Sequence, residues 1–500
     1  MADASSKRDQ NESKSSVTLG KLAPLKIMAM PAFVGIWAAM GPGVIWASIA
    51  QGSGELIWWP YLTAKYGAAF LGILLPACII QIWVNHEIVR YTLTTGETFF
   101  TGLMRISKWF AFIMWIMLTV TFFWFGGLVS GGATAMFELT KFPSGWAARE
   151  GTLFWAYLTI AVFVCGLLFS KVVYTLIEKF MAVVVVVTVL GLLVSVLNST
   201  ILSTAGDFFA AYFNPFAIFV NGMPAKWDSK DADTLLTGIA FAGMGGFYNV
   251  MYSYWIRDKG HGMGKYAGRI TSPITGKAES IPATGFAFED TPENKKNYLA
   301  WINYLKFENI YGVAINALTV MLMCWLAWAI LMPKGEVPGG WKLTVVQAQF
   351  FETTMGSFGR ILFLIIGAAF LSDTWLGVAD AASRMHADFV SHFFPGAKKL
   401  SLRTWYYIFV AILTLISIVT IQLAQPGELI LLTGVFNFIS MAMYMPVLIY
   451  LNYKVVPEKF PEWVRPARIT FWISTCITAF YVILGIIYIL FRLFGVRILF

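Results

Sequence analysis

Charge is scarce in this sequence. Only 13% of its 500 residues are Asp, Glu, Lys or Arg, about half the ~25% of an average soluble chain. Cysteine is scarcer still: four residues, at 78, 165, 324 and 476. All four sit in apolar runs, with neither a zinc spacing nor a disulfide framework, so they read as small core residues. There are four histidines, and no His-Glu-x-x-His pair among them. A Walker-type phosphate loop and a dinucleotide-binding glycine fingerprint are also missing. These absences argue against an ATP-driven pump, a nicotinamide or flavin enzyme, and a membrane metalloprotease. No catalytic activity and no cofactor are expected.

What fills the space is hydrophobic: 58% of the residues. Apolar runs of the ~20 residues that an α-helix needs to cross ~30 Å of hydrocarbon recur along the chain. The expectation is an all-α membrane protein with about eleven spans, near 33–65, 68–95, 108–138, 152–170, 174–198, 235–256, 307–333, 358–384, 403–424, 428–452 and 467–492. The first 25 residues are polar and rich in Ser and Lys, which predicts a disordered tail over 1–30 and no cleavable signal peptide. With the N-terminus in the cytoplasm, 26 of the 36 Lys and Arg residues fall on the cytoplasmic side, as the positive-inside rule requires. The net charge of +9 is therefore a topology signal, and no nucleic-acid partner is implied. A prokaryotic cytoplasmic membrane is the default location.

Two spans are interrupted by glycine. The first carries "SIAQGSGELIWWP" (48–60), with Gln51, Gly52, Ser53, Gly54 and Glu55 at mid-depth. The sixth carries "GIAFAGMGGFYNVMYSYW" (238–255), with Gly243, Met244, Gly245 and Gly246 followed by Phe247 and Asn249. If spans 1–5 and 6–10 are two copies of one unit, the interruptions occupy matching positions. Paired broken helices are the best sequence pointer to a secondary transporter's binding site, because irregular backbone is tolerated at that depth only where it lines a cavity or is buried in protein. This divides the chain into a tail (1–30), a first five-helix repeat (31–200), a second, inverted repeat (201–455) with a cytoplasmic loop (257–306), and an additional C-terminal helix (456–500). An ionised Glu55 near the bilayer centre requires a partner, a proton or a bound cation. Elsewhere, His86 and Glu87 lie within pairing distance of Arg90 on one helix, as Asp380 does with Arg384. Asp373 is deeper and lacks a sequence-adjacent partner. Asp373, His86 and Glu87 are the candidates for coupling or gating.

The segment "GPGVIWASIAQGSGELIWWPYLTAKYG" (41–67) resembles the first helix of Nramp-type divalent metal transporters, members of the amino acid-polyamine-cation superfamily with the leucine-transporter-like fold. "YTLTTGETFF" (91–100), "LIEKFMAVVVVV" from 176 and "ILFLIIGAAFLSDTWLGVADAASRMHADFVSHFF" from 361 are similar to later stretches of that family, so the likeness spans about 33–455. The ligands differ. The family's metal-binding Asp falls on Gly52 and its Asn on Glu55; its Met-Pro-His falls on Phe247, Tyr248 and Asn249; its tenth-helix Gln falls near Thr433, one turn before Asn437. The third-helix Asp and Glu of its proton path fall on Phe125 and Leu128.

The resemblance implies transport by alternating access. The oxygen donors Gln51, Glu55 and Asn249 are the candidate metal ligands, and Gly52, Ser53, Gly54, Gly243, Met244, Phe247 and Thr433 complete the candidate binding site. With the thioether gone, an oxygen-only set suits Mg²⁺ or Mn²⁺ rather than softer ions. Phe247, Tyr248, Trp58 and Trp59 also make an aromatic wall suited to a small organic solute such as an amino acid, carried with Na⁺ or H⁺.

Overall fold

The computed structural model describes residues 16–52 and 57–496. Nine helices among them are long and apolar enough to cross a membrane. The two expected spans outside that set are the first, whose residues 53–56 lie outside the described residues, and the sixth, which is broken. Of the first, α1 (Pro42–Ala50) and α2 (Trp58–Tyr66) are described; the sixth, named below, is two short pieces. A helix of nine residues rises only about 14 Å, less than half the hydrocarbon thickness. Neither piece spans alone.

Between the two broken spans run α3 (Leu71–Thr95), the short α4 (Phe99–Ile106), α5 (Lys108–Phe122), α6 (Gly126–Thr140), α7 (Ala148–Phe169) and α8 (Val173–Ser195). The sixth span is α9 (Ala232–Phe241) and α10 (Phe247–Lys259). It is followed by α11 (Pro292–Leu326), α12 (Gln349–Phe393, kinked at Gly356 where φ is 60°), α13 (Leu402–Thr420), α14 (Pro426–Tyr450) and α15 (Arg468–Phe494).

Local chemistry sets the starts. Proline occupies the first turn of α1, α11 and α14, where its missing N–H removes no helical bond. Thr291 caps α11 by accepting from Asn294 N at 3.2 Å.

The broken helices form the centre. α12 is the most enclosed span, with 78% of its apolar window buried, against 22% for α13. The outer faces expose Ile113, Val162, Val183, Leu190, Leu415 and Ile483. In a multi-pass membrane protein these apolar faces meet lipid. Two cysteines belong to that outer face: Cys78 and Cys324 are buried, but Cys165 and Cys476 are exposed. The reading of all four as core residues is therefore corrected; lipid tolerates a thiol as an apolar core does.

Two further expectations change. Residues 16–30 are ordered where a disordered tail is expected. β1 (Ser16–Val17) pairs antiparallel with β2 (Leu25–Ile27), and β2 pairs parallel with β3 (Phe286–Ala287). The segment then continues onto α11: Met30 N donates to Asn294 Oδ1 (2.9 Å), Asn297 Nδ2 donates to Met30 O (3.1 Å) and Trp301 Nε1 donates to Pro31 O (2.9 Å). Composition missed this because the partners lie some 260 residues away. The loop 257–306 is also shorter than its polarity suggests, since α10 runs to Lys259 and α11 begins at Pro292.

Candidate functional site

The second break is built from backbone that only small residues accept easily. Gly243, Met244 and Gly246 have φ of 115°, 65° and 71°. The left-handed region costs a non-glycine residue about 1–2 kcal/mol, so Met244 marks a conformation imposed by its surroundings. At Gly246 a Cβ would lie 2.3 Å from the carbonyl oxygen of Asn437, so α14 approaches too closely for any side chain. Asn437 fastens the contact: its Oδ1 accepts from Phe247 N at 2.8 Å, satisfying one of the orphan N–H groups at the start of α10. Tyr444 OH donates to Gly246 O at 2.9 Å.

The end of the first span's described half, at Gly52, is pressed against α12 in the same way. A Cβ on Gly52 would stand 2.0 Å from Thr374 Oγ1 and 2.6 Å from Phe370 O. Ser53, Gly54 and Glu55 lie outside the described residues.

Beside Gly52 and in the first turn of α10, a carboxamide is held with its oxygen unbonded among the described residues. Gln51 donates Nε2 to Thr319 Oγ1 at 2.5 Å, while that hydroxyl donates its own proton to Ile315 O at 2.9 Å. Thr319 must therefore accept, which fixes the Gln51 amide nitrogen toward α11. Its Oε1 is buried and accepts no hydrogen bond from the described residues. Asn249, in the first turn of α10, donates Nδ2 to Gln81 Oε1 at 2.8 Å. Gln81 is itself oriented, because its Nε2 reaches Ala240 O (3.4 Å) and Tyr481 OH (2.9 Å), and the carbonyl can only accept. Asn249 Oδ1 is also buried with no partner among the described residues. Buried oxygens without donors are uncommon in folded proteins. Here two neighbours choose the amide orientation at two separate breaks, and both present oxygen.

Asp373 stands near the first break on α12, fully buried. Its Oδ2 accepts from Ser48 Oγ on α1 at 2.7 Å and its Oδ1 from Thr374 Oγ1 at 3.3 Å. The other expected residues are placed differently. Thr433 turns its hydroxyl back to Leu429 O (3.1 Å), and its backbone carbonyl accepts from Asn437 Nδ2 (2.9 Å). The tenth-span side chain that reaches the second break is Asn437. Glu87 is absorbed in a structural cluster with Arg90 (3.1 Å), Asn452 Nδ2 (2.9 Å) and Tyr453 OH (3.0 Å). His86 is buried with neither ring nitrogen bonded to a described residue. Phe247 belongs to an aromatic layer with Phe100 and Phe122.

The residues that sequence reasoning passed over are Gln81, Thr319 and Ser48, which orient or hold the others. Their signal was polarity inside apolar runs, and it is visible only once a partner is known.

The foot of α1 is clasped from several sides. Glu308 Oε1 on α11 accepts from Gly43 N at 3.1 Å and from the hydroxyls of Tyr304 and Tyr311 at 3.3 and 3.4 Å. His261 Nε2 lies 2.8 Å from Ala39 O. Farther out, Arg384 on α12 joins Asp380 (2.9 Å) to Asp258 at the foot of α10, with Tyr406 of α13 donating to Asp380 at 2.7 Å.

No protein-family model matches this chain, and no curated protein matches it by sequence. Solved structures do share its shape. A manganese transporter from Eremococcus coleocola superposes with a TM-score of 0.67 at 13% identity, over 97% of this chain and 92% of that one. The transporter MhsT in complex with L-phenylalanine gives 0.52 at 16% identity, over 89% and 98%. MHP1, a nucleobase-cation-symport-1 family transporter in a closed conformation, gives 0.50 at 13% identity, over 91% and 90%. With its sixth span interrupted and nine membrane-length helices among the described residues, this chain has the all-α, leucine-transporter-like membrane fold.

Proposed function

We propose that this protein is a secondary-active or facilitative transporter that carries a divalent metal cation of the Mg²⁺ or Mn²⁺ class by alternating access. The observation that supports this most directly is the pair of oriented carboxamides. Thr319 and Gln81 take up the amide nitrogens of Gln51 and Asn249, so each break offers a bare oxygen. Hard cations are recognised by neutral and anionic oxygens, and Mg²⁺ retains waters that let a few protein ligands suffice. Glu55, by sequence, supplies the carboxylate that offsets the ion's lost hydration, and Asp373 places a second carboxyl group on the α12 side. The coordinating set is then Gln51, Glu55 and Asn249 with backbone carbonyls near Gly52 and Met244. On the charge bias of the loops, the Lys/Arg-rich face is cytoplasmic. The fold is shared with a manganese transporter, which agrees with this reading.

A second reading, transport of a small organic solute such as an amino acid, is favoured by Phe247, Tyr248, Trp46 and Trp59, all buried around the breaks. Purified protein in liposomes, offered Mg²⁺, Mn²⁺ and a panel of amino acids in turn, separates the two. Saturable metal uptake is expected. Uptake of an amino acid with no metal flux would overturn the metal assignment and retain the transporter.

A further inference from the structure

A cavity of about 1270 Å³ lies apart from the helix breaks, on the Lys/Arg-rich face. Its walls are residues 21–23 of the N-terminal segment, α4, the foot of α10, the loop 267–285, the end of α12 and the start of α13. Six cations border it: Lys21, Arg105, Lys108, Arg257, Lys398 and Arg403. The three carboxylates on its wall are already engaged. Glu97 takes Arg105 at 2.5 Å, Glu279 takes Arg269 at 2.7 Å, and Asp388 accepts from Thr98 Oγ1 at 2.5 Å and Tyr254 OH at 3.0 Å with His392 at 3.4 Å. Lys21, Lys108 and Lys398 form no ion pair among the described residues. The wall therefore carries a surplus of positive charge. Such a field repels a cation and concentrates anions, so this cavity does not suit the exit path of a metal cargo.

Arg257 gives the cavity its chemistry. It is only 6% exposed. Its guanidinium lies over the Tyr254 ring at 5.4 Å. Its one polar contact among the described residues is Nε to Asp258 Oδ1 at 3.4 Å, and Asp258 is shared with Arg384. A guanidinium carries five N–H donors in a planar fork, and here both Nη groups make no hydrogen bond to the described residues. Arg257 lines the cavity, so these donors are free for an anion that enters it. A bidentate oxyanion does so with the strongest hydrogen bonds available to arginine.

We propose that this cavity is an anion site for a phosphate-bearing ligand of multiple negative charge, gripped by Arg257 and neutralised by Lys21, Lys108 and Lys398. The volume exceeds what a bare phosphate fills and lies above the roughly 300–1,000 Å³ of ordinary ligand pockets. The ligand is therefore a polyphosphate-bearing solute or a phospholipid headgroup. Bound there, it bridges the N-terminal segment that leads into α1 to the feet of α10 and α12, so occupancy would join the elements that carry both helix breaks.

The test is calorimetric titration of the full-length purified protein with inorganic tripolyphosphate and, separately, with a short-chain phosphatidic acid. Sulfate at matched ionic strength is the control. Binding of either probe, absent with sulfate, is expected, and it should weaken about tenfold or more in Arg257→Gln and in the Lys108→Gln/Lys398→Gln pair, as loss of charge-assisted bonds requires. Tripolyphosphate binding without phosphatidic acid binding assigns a soluble ligand; tighter phosphatidic acid binding assigns a lipid. If Arg257→Gln lowers the melting temperature so far that it cannot be titrated, the lysine pair on the rim decides. Binding of neither probe, or binding unchanged in the variants that fold, overturns the proposal.

Discussion

Thr319→Val is the sharpest probe of the oriented-carboxamide idea. Valine is nearly isosteric with threonine and keeps the β-branch, so α11 should pack as before. Thr319 is fully buried, and its backbone stays helical. What disappears is the 2.5 Å acceptor for Gln51 Nε2. A buried donor left unpaired costs about 1–3 kcal/mol, and the Gln51 amide can recover part of that only by rotating. A net bias of about 1 kcal/mol, typical of one intramolecular hydrogen bond, currently keeps Oε1 toward the break. Once it is lost the two rotamers are about equally populated, and if it is reversed the oxygen-forward one falls to about 16%. Apparent affinity falls with the competent fraction, which gives ~2–5-fold weaker metal binding. Thr319→Ser retains a hydroxyl and should recover most of the loss. The assay is calorimetric or uptake-derived affinity for Mn²⁺ and Mg²⁺ in wild type, Val and Ser variants at equal melting temperature. Unchanged affinity in the Val variant, or equal loss in the Ser variant, would refute the reasoning.

Other substitutions test other parts of the frame. Gly246→Ala forces a Cβ to within 2.3 Å of Asn437 O at a φ of 71°, so transport should collapse; Gly238→Ala, whose Cβ meets nothing nearer than 3.6 Å, should transport normally in the same flux assay. Arg384→Met leaves Asp258 and Asp380 facing each other without their shared cation; the expected penalty is about 3–5 kcal/mol, seen as a lower melting temperature, and adding Asp258→Asn should restore part of it. Metal transport should move few or no protons, because Phe125 stacks on Trp375 at 5.8 Å and Leu128 is 1% exposed. Robust metal-dependent acidification in liposomes carrying a pH dye would contradict that.

Much of the architecture was legible in the sequence because hydrophobic length is a strong signal in membranes. The position of the sixth-span interruption followed from a glycine cluster inside an apolar run, and the Asp380–Arg384 pair followed from four-residue spacing. The exit residues of the candidate site were harder. Nothing local to Thr433 says that its hydroxyl folds back on its own helix while Asn437, one turn on, reaches across to Phe247 N. Helical phase between two distant spans decides that, and one residue of rotation changes the answer. The N-terminal strands were hidden for a related reason. "SV" and "LKI" are too short to declare themselves as strands, and they exist because Phe286 and Ala287 offer a paired edge from the far side of the sequence.

The lashing of Met30 and Pro31 to Asn294, Asn297 and Trp301 has a mechanical consequence for α1. The segment leading into the foot of that helix is moored to the head of α11, not left loose. The slack is the stretch from Pro31 to Gly41, whose contour length at full extension is roughly 33–36 Å. Once the clasps of Glu308 on Gly43 and His261 on Ala39 let go, that leash sets the widest arc through which the foot of α1 can travel while the mooring holds. A wider arc must either tow the head of α11 along or break the moorings one by one. The amplitude of the first helix is in this sense written in a count of residues rather than in the strength of any single bond.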